Sequence, residues 1–391
     1  MKILLATTYD YPHLGGLSTH MTTLKTGLEN LGHTVETLSF SDVPKWRRDF
    51  IARGPSFLLN KASLGAGYVW TLNRRQEFLE QILKDDKYKS FDIINGQDVF
   101  ATRASLNVGL PTVTTTHGYL TYEGISKGSV AEGSKHAQKL LDVENSMYKK
   151  TRAVITVDTR IKEYIKREAG VEASMIKNFI DVEDFKPELE RREEFRNKYG
   201  IAQDELIFFI PRRLTKKNGV IYPILSFPPV LEKYPNARLV FAGTGEMMDQ
   251  MKAKAKELGI DKNVTMLGAV AHKDMIQYYA LSDIALVPSI YSAGVEEATS
   301  ISALEAMGSG IPLIACAVGG LKEIVDHNKD GLLVEEQNVE QLSDAMIRLL
   351  ANPEEGAQLA KAARTKIIEQ YSHFAAAEKY EKIYQEALTK N

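Results

Sequence analysis

The sequence holds a single cysteine, Cys316, among 391 residues. That excludes a disulfide framework and a cysteine-based metal site. No apolar run approaches the roughly 20 residues a membrane-spanning helix requires. Lys2 is followed only by the short apolar run 3–6, too brief for a signal-peptide core, so a cytoplasmic location is expected. Neither sign of charge is in excess: 49 Lys and Arg against 51 Asp and Glu leave −2. General affinity for nucleic acid is therefore not expected. Low-complexity segments and sequence repeats are also missing. What remains, 44% hydrophobic and 26% charged residues over 391 positions, is the composition of a globular protein long enough for two domains.

The most informative stretch is 288–314, PSIYSAGVEEATSISALEAMGSGIPLI. Strand-like segments at 284–287 and 312–316 bracket it. Thr299 or Ser300 suits an N-cap, after which Ile301, Leu304 and Met307 fall on one helical face. Gly308, Gly310 and Pro312 supply a stop. The start of such a helix offers unpaired amides and a positive dipole end to a phosphate. Glu297 and Glu305, about two turns apart, are then suited to hydroxyls on either side of a diphosphate, which describes a nucleotide-sugar. The alternative is a plain capping box from Ser302 to Glu305 with Glu297 solvated.

From the start of the chain, 2–8 reads as a buried strand, 9–20 as a loop, about 21–31 as a helix and 33–38 as a second strand. This is a doubly wound unit with Gly15 and Gly16 at the carboxyl end of its first strand, where open α/β sheets bind ligands. Paired glycine there lets backbone approach a ligand closely, and it also makes plain turns. Region 45–75 is different: Lys45, Arg47, Arg48, Arg53, Lys61, Arg74 and Arg75 face Asp49 alone, with Trp46, Phe50, Phe57, Leu58, Leu59, Tyr68 and Trp70 interleaved. Two readings stand. The aromatics pack inward from a pair of amphipathic helices, or the segment docks on an anionic membrane surface or a lipid-linked substrate.

Further strands are expected at 91–95, 112–115 and 153–157. The middle one ends at Thr116-His117-Gly118, which places His117 toward the ligand crevice, although a lone histidine also serves structure. The pattern breaks near 178–187 and restarts with a strand at 206–210. Its following loop, PRRLTKKNG, carries Arg212 and Lys217, a fork and a point charge suited to a diphosphate or simply solvated charges. Strands at 238–242, 264–267, 284–287 and 331–334 and a last amphipathic helix complete the chain. Two domains follow: 1–177, completed by 373–391, and 178–372.

Together these segments resemble the family-4 retaining glycosyltransferases of the GT-B fold, over nearly the whole chain. Gly15-Gly16 is similar to the family's N-terminal glycine loop and Thr116-His117-Gly118 to its histidine motif. Arg212 with Lys217 resembles its basic pair, Glu297 with Glu305 its paired glutamates, and 178–187 its linking segment. The resemblance implies an α/β protein of two Rossmann-like domains facing across a cleft, with the C-terminal helix crossing back to the first. It implies transfer of a hexosyl group from a nucleotide-sugar, UDP-sugar first, to an acceptor hydroxyl in glycan, glycolipid or cell-surface polysaccharide synthesis. The first domain would bind the acceptor and the second the donor.

By the same resemblance Glu305 holds the ribose and Glu297 the transferred sugar. Arg212 and Lys217 neutralise the diphosphate, with Gly16 and the backbone of Thr299, Ser300 and Ile301 assisting, and His117 contacts the sugar. No Asp-any-Asp triplet occurs, so no metal cofactor is expected, and the basic pair supplies the electrostatics. Two departures from the family pattern stand out. Glu297 is followed by Ala298-Thr299-Ser300, not the usual Gly-Phe-Gly. Pro211 replaces the usual glycine and Arg213 adjoins Arg212, so either arginine can take the phosphate position. A GT-B epimerase, a phosphorolytic disaccharide enzyme and a non-catalytic binding protein are the alternatives.

Overall fold

The structure, a computed structural model, describes residues 1–13, 15–292 and 299–389. The chain divides into two compact units, 1–178 with 373–391, and 179–372.

In the first unit six strands form one parallel sheet in the order β2-β1-β3-β4-β5-β6. They are β1 (Lys2–Ala6), β2 (Thr34–Leu38), β3 (Ile93–Gly96), β4 (Thr112–Thr116), β5 (Val154–Thr156) and β6 (Ser174–Met175). Strands covered on both faces read as continuous apolar runs, as in Ile3-Leu4-Leu5-Ala6, all fully buried. β4 departs from this with the sequence TVTTT, yet every residue is buried. Its hydroxyls are used internally: Thr114 Oγ1 donates to Gly96 O at 3.2 Å and Thr115 Oγ1 to Asn95 Oδ1 at 3.1 Å. The exposed two-residue β6 escaped the sequence pattern because it buries nothing.

The first helix begins at Gly16, not near Met21, and runs to Asn30. Its opening, GLSTH, reads as loop because it is polar, but Ser18 and His20 face inward and are buried. The Ser18 hydroxyl accepts from His13 N at 3.0 Å, which ties the loop down. The C-terminal helix His373–Thr389 packs against this helix in the same unit. The contact is close enough that a Cβ on Gly27 would collide with the His373 carbonyl.

Region 45–75 corrects one expectation. It forms a π-helical segment Arg47–Arg53 and helices Ser56–Ala62 and Ala66–Leu83, but the inward packing of its aromatics fails. Trp46, Phe50, Phe57 and Leu58 are exposed, whereas Tyr68 and Trp70 are half-buried.

The second unit repeats the architecture with a parallel sheet in the order β12-β11-β10-β7-β8-β9. Its strands are β7 (Leu206–Ile210), β8 (Ala237–Phe241), β9 (Val264–Met266), β10 (Ile284–Val287), β11 (Leu313–Cys316) and β12 (Leu332–Val334). The highly charged segment before β7 forms the short helix Arg192–Lys198, with Phe195 and Arg196 on its buried face. Arg196 is almost wholly buried, donating to the carbonyls of Leu281, Ala202, Gln203 and Glu205 and to the Asp283 carboxylate.

In each sheet the strand order reverses once, between β1 and β3 and between β7 and β10. In open parallel sheets such switch points, at the carboxyl ends of the strands, leave a crevice between diverging loops.

Candidate functional site

In the second unit the crevice is bounded by the loop after β7 and the segment after β10. Arg212, only 8% exposed, donates through Nη1 to Ser300 Oγ at 3.0 Å and through Nη2 to Asn218 Oδ1 at 2.9 Å and Ser289 Oγ at 2.8 Å. Arg213 is exposed. Of the two arginines, Arg212 is therefore the one joined to residues after β10. These three neutral acceptors fix the orientation of a buried guanidinium, and a guanidinium held in place is suited to an anion.

Lys217 lies in the same loop, on a 3-10 turn closed by Gly219 in the left-handed region at φ 62°. A side chain at 219 would collide with the Pro288 carbonyl, so the glycine lets the loop press on the end of β10. The backbone pairing of Ile290 N with Lys217 O at 2.9 Å completes that contact.

Ser300 is the N-cap of helix Ile301–Gly308, but its side chain makes no capping bond; its hydroxyl accepts from Arg212 instead. The capping-box alternative also fails. Ser302 Oγ donates to Pro211 O at 2.7 Å, and the Glu305 carboxylate accepts from Tyr279 OH at 2.9 Å. Glu305 is only 5% exposed, and burial pushes its carboxyl up to about 7. His272 Nδ1 stands 3.8 Å from its other oxygen. Thr299 is buried and Ile301 half-buried at the start of the same helix. Glu297 lies outside the described residues.

In the first unit, Gly15 caps and Gly16 begins the first helix. A Cβ on Gly16 would meet nothing within 4 Å among the described residues outside its own helix backbone and chain neighbours, so their packing gives no reason for a glycine there. Gly16 and His117 line the same cavity of about 400 Å³, with Tyr9, Tyr68, Glu123 and Lys127 among its other walls. His117 Nε2 lies 2.9 Å from Gln97 Oε1, and its ring meets His20 edge-on at 4.5 Å. Burial lowers His117 to about 4, so the ring is neutral at ordinary pH and Nε2–H donates to Gln97.

Sequence reasoning missed the supports of both clusters. Ser289, Asn218 and Tyr279 carry no motif, although Ser289 lies two residues after a buried strand at what proves to be a switch point. His20 and Tyr380 are joined at 3.2 Å across a separation of 360 residues, and no local pattern could signal that.

Two parallel doubly wound sheets, each with its polar cluster at the switch point, define the class: GT-B glycosyltransferases. Two family profiles match, "Glycosyltransferase Family 4" over residues 14–184 and "Glycosyl transferases group 1" over 191–366. The chain belongs to glycosyltransferase family 4. It is 29% identical to an uncharacterised glycosyltransferase of Methanocaldococcus jannaschii, over 99% of this chain and 99% of that one. Its fold is similar to that of sucrose-phosphate synthase from Thermosynechococcus elongatus (TM-score 0.73, 19% identity, 100% of both chains). Anabaena HepE, solved in complex with UDP, is also similar (TM-score 0.69, 18% identity, 98% of this chain and 100% of that one).

Proposed function

We propose that this chain is a retaining glycosyltransferase that moves a hexosyl group from a nucleotide-sugar to an acceptor hydroxyl. The observation that carries this reading is the buried Arg212 guanidinium, held by Ser289, Asn218 and Ser300 at the switch point of the second unit. It stands beside the start of a helix whose Glu305 is buried. A fixed cation and helix amides suit a diphosphate. A buried carboxylate on the same helix suits the ribose hydroxyls, whose donation replaces water lost on burial.

In this reading Arg212 and Lys217 take up the charge that grows on the departing diphosphate, work that other enzymes give to a metal ion, and no metal is needed. Glu297 and His117 serve the transferred sugar; the neutral His117 ring offers hydrogen bonds without charge. Retention follows when the acceptor oxygen attacks from the face the phosphate leaves, the phosphate oxygen taking the acceptor's proton. The first unit binds the acceptor, and the bare backbone at Gly16 leaves room for a ligand. UDP-sugar is the first donor to try, since a chain of the same fold binds UDP.

The test is thermal stabilisation of the protein by UDP, GDP and ADP in the presence of chelator, followed by product analysis with the matching sugar nucleotide. One nucleotide should raise the melting temperature by mass action, and the product should keep the donor's anomeric configuration. Sugar epimerisation without acceptor, or turnover only with inorganic phosphate, would replace this reading by another reaction class.

A further inference from the structure

The most exposed apolar side chains of the first unit are gathered in one short stretch. Phe50 is 77% exposed, Leu58 69%, Phe57 65% and Trp46 59%, with Leu64 close behind. They do not hang from a loose loop. Ala52 is buried, Ile51 O accepts from Trp70 Nε1 at 3.2 Å, Ala52 O from Thr71 Oγ1 at 3.1 Å, and Asn60 Oδ1 from Gly67 N at 2.8 Å. The backbone is thus fastened to helix Ala66–Leu83 while the large apolar groups point away from it. Leaving such groups in water brings no folding benefit, so a surface that covers them is called for.

Charge selects the occupant. Residues 45–64 contain Lys45, Arg47, Arg48, Arg53 and Lys61 against Asp49, so five positive charges less one negative leave +4, within a chain whose total is −2. The rest of the chain therefore carries −6, the difference of those two sums. Lys61 Nζ sits 4.7 Å over the Phe57 ring, which pairs a cation with the apolar group beside it. Two copies of the segment would repel one another, whereas an anionic lipid surface attracts the cations and accepts aromatic and leucine side chains at its interface.

We propose that residues 44–64 dock this protein on an anionic lipid bilayer, Trp46, Phe50, Phe57 and Leu58 entering the interface and the exposed Lys45 and Lys61 meeting the headgroups, while Arg48 and Arg53 pair with Asp10. The helix that anchors this segment, Ala66–Leu83, also supplies Tyr68 to the cavity that holds Gly16 and His117. Docking thereby sets that cavity's wall next to the membrane-bound segment, and the acceptor it serves is then a membrane-resident one. This last clause rests on the proposed transfer reaction; the docking does not.

The test uses the full chain beside Trp46→Phe, a change at an exposed position whose lost signal identifies the Trp46 emission, and vesicles of phosphatidylcholine with or without phosphatidylglycerol. No nucleotide or acceptor is added, so a failed transfer assay leaves this result untouched. The protein should float with the anionic vesicles only, with Trp46 emission shifted to the blue and binding weakened by salt. Phe50→Ser, Phe57→Ser and Leu58→Ser together, all exposed and hence compatible with folding, should lose roughly tenfold or more in partition, and Lys45→Glu with Lys61→Glu should do the same. Equal binding to neutral vesicles, no binding at all, or a dimer in sedimentation that the serine variant splits would overturn the proposal. The last outcome would assign the patch to a second copy of the chain.

Discussion

The Tyr279 hydroxyl lies 2.9 Å from the Glu305 carboxylate, with both side chains buried. One hydroxyl does not replace the water that Glu305 gives up, and so its carboxyl is pushed up to about 7. Between its unfolded value near 4.3 and about 7, the folded state holds a proton that the unfolded state has lost. Stability from this group is therefore full below that range and falls as pH rises through it. Glu305→Gln should be more stable than wild type at pH 8, by about 3–4 kcal/mol, with the difference vanishing near pH 4. Chemical denaturation at the two pH values reads this directly. A variant less stable at pH 8 would mean that Glu305 is satisfied in the free protein.

The same group should make nucleotide affinity depend on pH. Ribose hydroxyls donate to a charged carboxylate and so favour its deprotonation. Affinity should rise from pH 6 to pH 8 and binding should release a proton near pH 6.5, seen as a buffer-dependent heat in calorimetry. Glu305→Ala should weaken binding and abolish the buffer dependence; unchanged affinity removes Glu305 from the ribose.

Arg212 offers two parallel donors where lysine has one point charge. Arg212→Ala should lower kcat/KM by about 3 kcal/mol of transition-state stabilisation, and Arg212→Lys should recover little of it. Arg213→Ala, altering an exposed neighbour, should leave turnover near wild type. Steady-state kinetics on the three variants separates them, and equal losses at 212 and 213 would indicate a general charge effect.

His117 is held near 4 by burial, so its protonation should not shape the rate between pH 6 and 8. If the activity limb at low pH has an apparent value near 6.5 that disappears in His117→Gln, the ring is more solvated than its geometry with Gln97 indicates.

Arg196 bridges the segment before β7 to Asp283 and four carbonyls inside the second unit. Arg196→Ala takes the guanidinium from these carbonyls, while Asp283 keeps Arg192 and Ile207 N, and should cost about 3 kcal/mol, measured as a lower melting temperature with nucleotide affinity per folded molecule unchanged.

The sequence by itself determined the two doubly wound halves, because parallel strands buried on both faces must be written as short continuous apolar runs, and it marked Gly16, His117, Arg212, Lys217 and Glu305 through their places at strand and helix ends. It did not determine which arginine turns inward, where the first helix begins, or that Phe50 and Phe57 stay in water. Those follow from contacts between distant segments: Ser289 and Ser300 draw Arg212 in from positions 77 and 88 residues away, and His20 meets Tyr380 across 360. Periodicity reports only which residues share a face. Whether that face is covered, and which polar groups meet beneath it, depends on what the rest of the chain brings against it.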